Sequence, residues 1–138
     1  MGKGIREVMT SKVCSIDAEK RVAYAAKMMR DEDVGLAPIV EGDRLVGTLT
    51  DRDIAIRVVA EGRDPESTKV RDVASTDLVT VDPQQDLDEA LRLMAQHQVR
   101  RIPVVEEDGR LVGVVAQADV AREADDRQTG EVVEQISR

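Results

Sequence analysis

The sequence predicts an α+β fold in which one β-α-β-β-α unit is used twice. Three observations point there. First, the chain is similar to itself at an offset of 65: Ile5 falls on Val70, Asp17 on Asp82, Ala25 on Ala90, Met29 on Met94, Pro38 on Pro103 and Val40 on Val105. Second, one extra residue in the turn after Glu106 moves the offset to 66. Arg44-Leu45-Val46-Gly47 then falls on Arg110-Leu111-Val112-Gly113, and Asp53 falls on Asp119. Third, the apolar period changes in the same order in both copies, from helical spacing to short strand-like runs. A lone repeat of about 60 residues would bury too little surface to be comfortably stable. The two copies, at residues 5–60 and 69–125, are therefore expected to form one compact whole with pseudo-twofold symmetry.

Each copy opens with a short amphipathic segment, Ile5–Met9 or Val70–Val73, followed by a brief strand, Val13–Ile16 or Leu78–Val81. A helix comes next. Its buried face is Val22, Ala25, Ala26 and Met29 in the first copy and Leu87, Ala90, Leu91 and Met94 in the second, at i, i+3, i+4, i+7 spacing. Asp86 with Glu89 three residues on carries the pattern of a capping box. Two strands follow, Ala37–Val40 with Leu45–Leu49 and Ile102–Val105 with Leu111–Val115. The Gly- and Asp-bearing links between them are hairpin chemistry. A last helix closes each copy, at 51–60 and 117–125. Residues 61–68 are polar, with Gly62 and Pro65, and read as the linker; 126–138 read as a polar tail with Val132, Val133 and Ile136.

Composition excludes several function classes. Of 138 residues, 41% are hydrophobic and 35% charged, which suits a folded globular protein. The net charge of −8 opposes binding to nucleic-acid phosphates or anionic membranes. One Tyr, with no Phe or Trp, gives no platform for stacking bases. Cys14 stands alone, so neither an intrachain disulfide nor a cysteine-cluster metal site can form. No apolar run approaches a membrane span, and MGKGIREVMT lacks a hydrophobic signal core, so a cytoplasmic location is expected. His97 lies among polar residues with no Cys or second His beside it. No nucleophile–base pair or phosphate-cradling Gly-rich loop occurs, so no enzyme activity is expected.

One motif carries candidate chemistry. Gly47-x-x-Thr50-x-x-Asp53 lies where a strand gives way to a helix. Free N–H groups at such a start suit phosphate, and a Thr hydroxyl adds a donor. A carboxylate one turn in can accept ribose hydroxyls. The same Thr and Asp also form an ordinary helix cap, and both readings stand at this point. In the second copy the motif is Gly113-x-x-Ala116-x-x-Asp119, which keeps the acceptor and loses the hydroxyl.

The chain resembles the CBS-domain pair, or Bateman module. The resemblance rests on Arg6-Glu7-Val8-Met9-Thr10, Ala37-Pro38-Ile39-Val40, Leu45-Val46-Gly47-Thr48-Leu49-Thr50-Asp51-Arg52-Asp53, Val99-Arg100-Arg101-Ile102-Pro103-Val104-Val105 and Leu111-Val112-Gly113-Val114-Val115. It is similar to the stand-alone bacterial kind, which includes hypoxic response proteins. The resemblance implies a non-catalytic regulatory module that senses AMP, ADP, ATP, NAD or S-adenosylmethionine in a cleft between the repeats. It implies phosphate contact by Thr50, ribose contact by Asp53 and Asp119, and phosphate contact by Arg100 and Arg101, where the first copy has Gly35 and Leu36. Adenine would lie between aliphatic walls drawn from Val13, Cys14 and Ile16 and from Ala37, Pro38 and Ile39, with Ile102 and Pro103 as second-copy counterparts. A homodimer is expected, packed through the short helices carrying Ile54, Ala55, Val58, Val59, Ala118, Val120 and Ala121, as is a protein partner the sequence does not name. The rival reading is a ligand-independent dimeric scaffold or stress-response interaction protein.

Overall fold

The structure is a computed structural model and describes residues 4–127. The apolar residues expected in the tail at Val132, Val133 and Ile136 lie outside the described residues. The elements run α1 (Ile5–Val8), β1 (Ile16–Asp17), α2 (Val22–Glu32), β2 (Leu36–Glu41), β3 (Arg44–Thr50) and α3 (Asp51–Asp53). A π-helical stretch (Ile54–Val59) and a 3-10 turn (Val70–Asp72) follow, then α4 (Leu87–His97), β4 (Arg101–Val105), β5 (Leu111–Ala116) and α5 (Gln117–Arg127). The described chain folds as two units. The first is Lys12–Leu78 with Glu107–Leu111; the second comprises segments 4–11, 79–106 and 112–127.

In the first unit β2 lies between β1 and β3. It runs parallel to β1 (Ile16 opposite Ile39) and antiparallel to β3 (Ala37 opposite Leu49, Leu36 opposite Thr50), with a bulge between Ile39 and Val40. The core joins Ile16, Val22, Ala25, Met29, Ala37, Ile39, Leu49 and Val58 with Val70 and Val73. In the second unit β4 pairs with β5, and Val81 bridges Val104 in parallel. Its core joins Val81, Leu87, Ala90, Met94, Ile102, Val104, Val115 and Val120 with Ile5.

The lead-in segments are thus exchanged: Ile5 fills the core built on the second repeat, and Val70 and Val73 fill the core built on the first. Equivalent bonds seat both. The Ile5 N–H donates to Gln85 O (2.8 Å) and that of Arg6 to Pro83 O (3.2 Å); the Val70 N–H donates to Lys20 O (2.8 Å) and that of Arg71 to Ala18 O (3.3 Å). The linker is also ordered. Val22 N–H donates to Thr68 O (2.8 Å) and Ala23 N–H to Pro65 O (3.0 Å). Two of α2's otherwise unpaired N–H groups are satisfied in this way, which a side-chain cap does not do at Arg21.

Three expectations need correction. The strands placed at Val13–Ile16 and Leu78–Val81 shrink to Ile16–Asp17 and to the single bridge at Val81. Proline is the physical reason. Val81 N–H donates to Pro103 O (3.1 Å), so Pro103 turns its nitrogen side to this ladder and has no N–H to extend it; Pro38 lies one residue before Ile39 in the equivalent register. The helix expected at 51–60 is α-helical for three residues and then widens, with Ala60 N–H donating to Ala55 O (2.9 Å). Neither arm of the capping box forms at α4: the Glu89 N–H donates to the Asp86 carbonyl (3.2 Å) rather than to its side chain, and the Glu89 carboxylate is drawn off to Arg92 (2.6 Å).

Candidate ligand site at the strand-to-helix turns

The turn at Thr50 is set by β3 ending opposite the start of β2. Asp51 N–H donates to Gly35 O (3.0 Å). The second unit repeats this bond at the equivalent positions, Gln117 N–H to Arg100 O (2.7 Å). Within the first turn, Thr50 and Asp53 lock each other. Asp53 N–H donates to Thr50 Oγ1 and Thr50 N–H donates to Asp53 Oδ2, both at 3.0 Å. This is the capping box that the motif permitted, and it orients both side chains without a ligand. Asp53 Oδ1 faces Arg57 Nε at 3.9 Å, beyond hydrogen-bond length.

In the second unit the turn starts at Ala116. Asp119 Oδ1 there accepts from Arg122 Nη2 at 2.5 Å. Arg100 is exposed and Arg101 half-buried, and neither guanidinium has an ion-pair or hydrogen-bond partner among the described residues. Both sit at the start of β4, joined through the Arg100 carbonyl to the start of α5.

The aliphatic candidates divide sharply. Ile16, Ala37, Ile39 and Ile102 are at most 1% exposed and belong to the two cores. Their side chains are spent on packing, and only their backbone could meet a ligand in this conformation. Pro38 and Pro103 are also buried, Val13 is half-buried and Cys14 is exposed. Partial desolvation, and then the Glu32 carboxylate beside it, push the Cys14 thiol above its usual range, so it is a poor nucleophile. His97 is exposed in the last turn of α4.

The glycine of each motif has a packing role that sequence reasoning missed. A Cβ at Gly47 would lie 3.0 Å from Ser75 O, and one at Gly113 would lie 2.7 Å from Met9 Sδ and 2.9 Å from Thr10 O. Each glycine lets an exchanged lead-in segment cross the strand. The crossings are sealed by Thr48 paired with Ser75 and by Val114 paired with Thr10. The recurrence of Gly47 at Gly113 was the available signal.

The sequence profile of the CBS domain matches residues 5–60 and 70–126. The chain belongs to the CBS-domain family. It is 44% identical over 117 residues to the CBS domain-containing protein YhcV of Bacillus subtilis, covering 85% of this chain and 82% of the relative. The crystal structure of Hypoxic Response Protein I with two coordinated zinc ions matches with a TM-score of 0.79 and 40% identity, covering 87% of this chain and 98% of that one. The CBS pair of protein MJ0100, in complex with 5′-methylthioadenosine and S-adenosylmethionine, matches with a TM-score of 0.79 and 20% identity, covering 92% and 99%; that likeness speaks to fold. CBS pairs are a regulatory fold, so the expected tandem repeat and family stand. Among the described residues of this CBS pair, no three His, Cys, Asp or Glu side chains gather as a metal site would require, and no helix is long and apolar enough to cross a membrane.

Proposed function

We propose that this CBS pair is a non-catalytic cytoplasmic sensor of an adenosyl ligand (AMP, ADP, ATP, NAD or S-adenosylmethionine) with its primary site at the Thr50–Asp53 turn. The observation that carries the reading is the reciprocal lock between those residues. It uses the acceptor side of Thr50 Oγ1 and one carboxylate oxygen of Asp53. The Thr50 hydroxyl hydrogen is left to donate to a phosphate, and Asp53 Oδ1 is left to accept from ribose. Both groups are pre-oriented, so a ligand pays little ordering cost to use them. Arg100 and Arg101, beside the second turn, carry guanidinium forks suited to a phosphate at that turn. The chain shares its fold with the MJ0100 pair that holds adenosyl compounds.

A second reading is favoured by Ile56 and Val59, which are 43% and 71% exposed on the π-helical stretch. Apolar surface of this kind suits a homodimer contact, and a dimeric scaffold would need no ligand. A thermal-shift panel of the five ligands separates the readings. A ligand at a hundred times its Kd adds about 2.7 kcal/mol of stability. A clear rise in Tm with at least one adenosyl ligand is expected; no rise with any of the five leaves the scaffold reading in its place.

A further inference from the structure

The two helix-start turns carry the same aspartate in opposite circumstances. In the first unit, Asp53 Oδ1 takes no hydrogen bond and meets only the Arg57 guanidinium, at 3.9 Å; the residue three positions on is Ile56, which cannot pair with it. In the second unit, the equivalent of Ile56 is Arg122, and its guanidinium holds Asp119 Oδ1 at 2.5 Å. The equivalent of Thr50 is Ala116, so no hydroxyl is there to fix the turn or meet a phosphate. The residue after Arg122 reverses charge as well, with Glu123 in the place of Arg57. The Arg122 bond and the missing hydroxyl both act against a ribose-phosphate ligand at the second turn; at the first, the facing guanidinium stands off at 3.9 Å and Thr50 supplies the hydroxyl.

We propose that Arg122 closes the second turn by occupying the Asp119 acceptor, so that the chain takes one ligand, at the first turn, and not two. This rests on the adenosyl reading of the Thr50–Asp53 turn. A ligand entering at Asp119 must displace a charge-assisted bond, and it gains nothing from Ala116 in return. A solvent-exposed ion pair and a single hydrogen bond each change affinity by about fivefold. Together they lower the second turn's affinity about 25-fold relative to the same turn with Thr and Ile in those two places. Arg122 is a specificity-determining residue in this account; the ligand itself would touch Asp119.

The test is calorimetric titration with AMP, ATP and S-adenosylmethionine, each used alone, of the parent and of Ala116→Thr/Arg122→Ile, which installs the first turn's residues in the second. The parent should bind one equivalent and the double variant two, with affinities within about tenfold of each other. Ala116→Thr/Arg122→Ala repeats the test with a strong helix former on the exposed face. Ala116→Thr/Arg122→Lys restores a cation three residues from Asp119 and should return the count to one, which a merely structural role for Arg122 would not do. Two comparable sites in the parent, or one site in both opened variants, overturns the inference and leaves the adenosyl reading intact. No binding of any probe by the parent overturns both.

Discussion

Across one turn of the first unit, Thr50 and Asp53 exchange two bonds of 3.0 Å, and across the equivalent turn of the second unit Asp119 bonds Arg122 from a start at Ala116. The scaffold around the two turns is closely alike. Each rests on a glycine crossed by an exchanged lead-in segment, and each begins with an N–H bonded to the carbonyl just before the partner strand, β2 or β4. The fold has therefore been kept in duplicate while the side chains that could meet a ligand have diverged. Packing tolerates little change at Gly47 or Gly113, whereas an exposed helix position tolerates Ile56 in one copy and Arg122 in the other.

The glycine crossings offer the largest effect by which to break this comparison. Gly113→Ala would put a Cβ 2.9 Å from the backbone oxygen of Thr10, and Gly47→Ala would put one 3.0 Å from that of Ser75. Overpacking of this kind costs about 1–3 kcal/mol. Gly113→Ala is expected toward the upper end, because Met9 Sδ crowds the same space at 2.7 Å, and Gly47→Ala toward the lower. Urea unfolding of both variants checks the order. Equal midpoints to the parent would mean that the lead-in segments are not held where they are described.

A smaller effect sharpens the comparison at the seats of those segments. Arg6 pairs with Glu106 at 3.3 Å, and its equivalent Arg71 pairs with both Glu41 and Glu19, the latter also bonded to Lys69 at 2.6 Å. Gln84 stands in the place of Glu19 in the second repeat, so the Glu19 arm of this network has no carboxylate counterpart there. The Lys69 ammonium, aided by Arg71, holds the Glu19 carboxyl below its usual range. A depressed carboxyl stabilises the fold above its unfolded pKa and ceases to do so as pH falls through its folded value. Glu19→Gln should thus lower Tm slightly at neutral pH, and the difference should vanish in acid below the ordinary carboxylate range and in 1 M salt, where screening is nearly complete. A difference that persists in both conditions would assign the effect to packing.

Much of the fold was legible because repetition and apolar period report on burial directly. Met29 and Met94, and Ile39 and Val104, fall on equivalent positions and enter equivalent cores. The exchange of the lead-in segments was not legible. Ile5 and Val70 mark buried positions, but nothing local says which repeat buries them. The short first strands could have been foreseen from Pro38 and Pro103, whose missing N–H groups face the ladder. At the candidate site, the Thr50–Asp53 spacing announced its cap, while the apolar character of Ile16, Ala37, Ile39 and Ile102 suits a core as well as a ligand wall, and only their burial decides between the two. The Asp119–Arg122 pair was hidden because Arg122 reads as one of many solvated charges until its distance is known.

Titration calorimetry of the parent beside Asp53→Ala, Asp53→Asn and Asp119→Ala, with AMP, ATP and S-adenosylmethionine, tests the central claim most directly. A charge-assisted bond to a ribose hydroxyl is worth about 1.5–3 kcal/mol, so Asp53→Ala should weaken binding roughly ten- to a hundredfold. Asp53→Asn keeps an oxygen for the Thr50 N–H and separates the lost charge from the lost cap, which alone costs only about 1 kcal/mol of stability. Asp119→Ala should leave binding near the parent's, because Arg122 already occupies that carboxylate. Undiminished binding by Asp53→Ala, or a larger loss in Asp119→Ala, would contradict the assignment of the ligand to the Thr50–Asp53 turn.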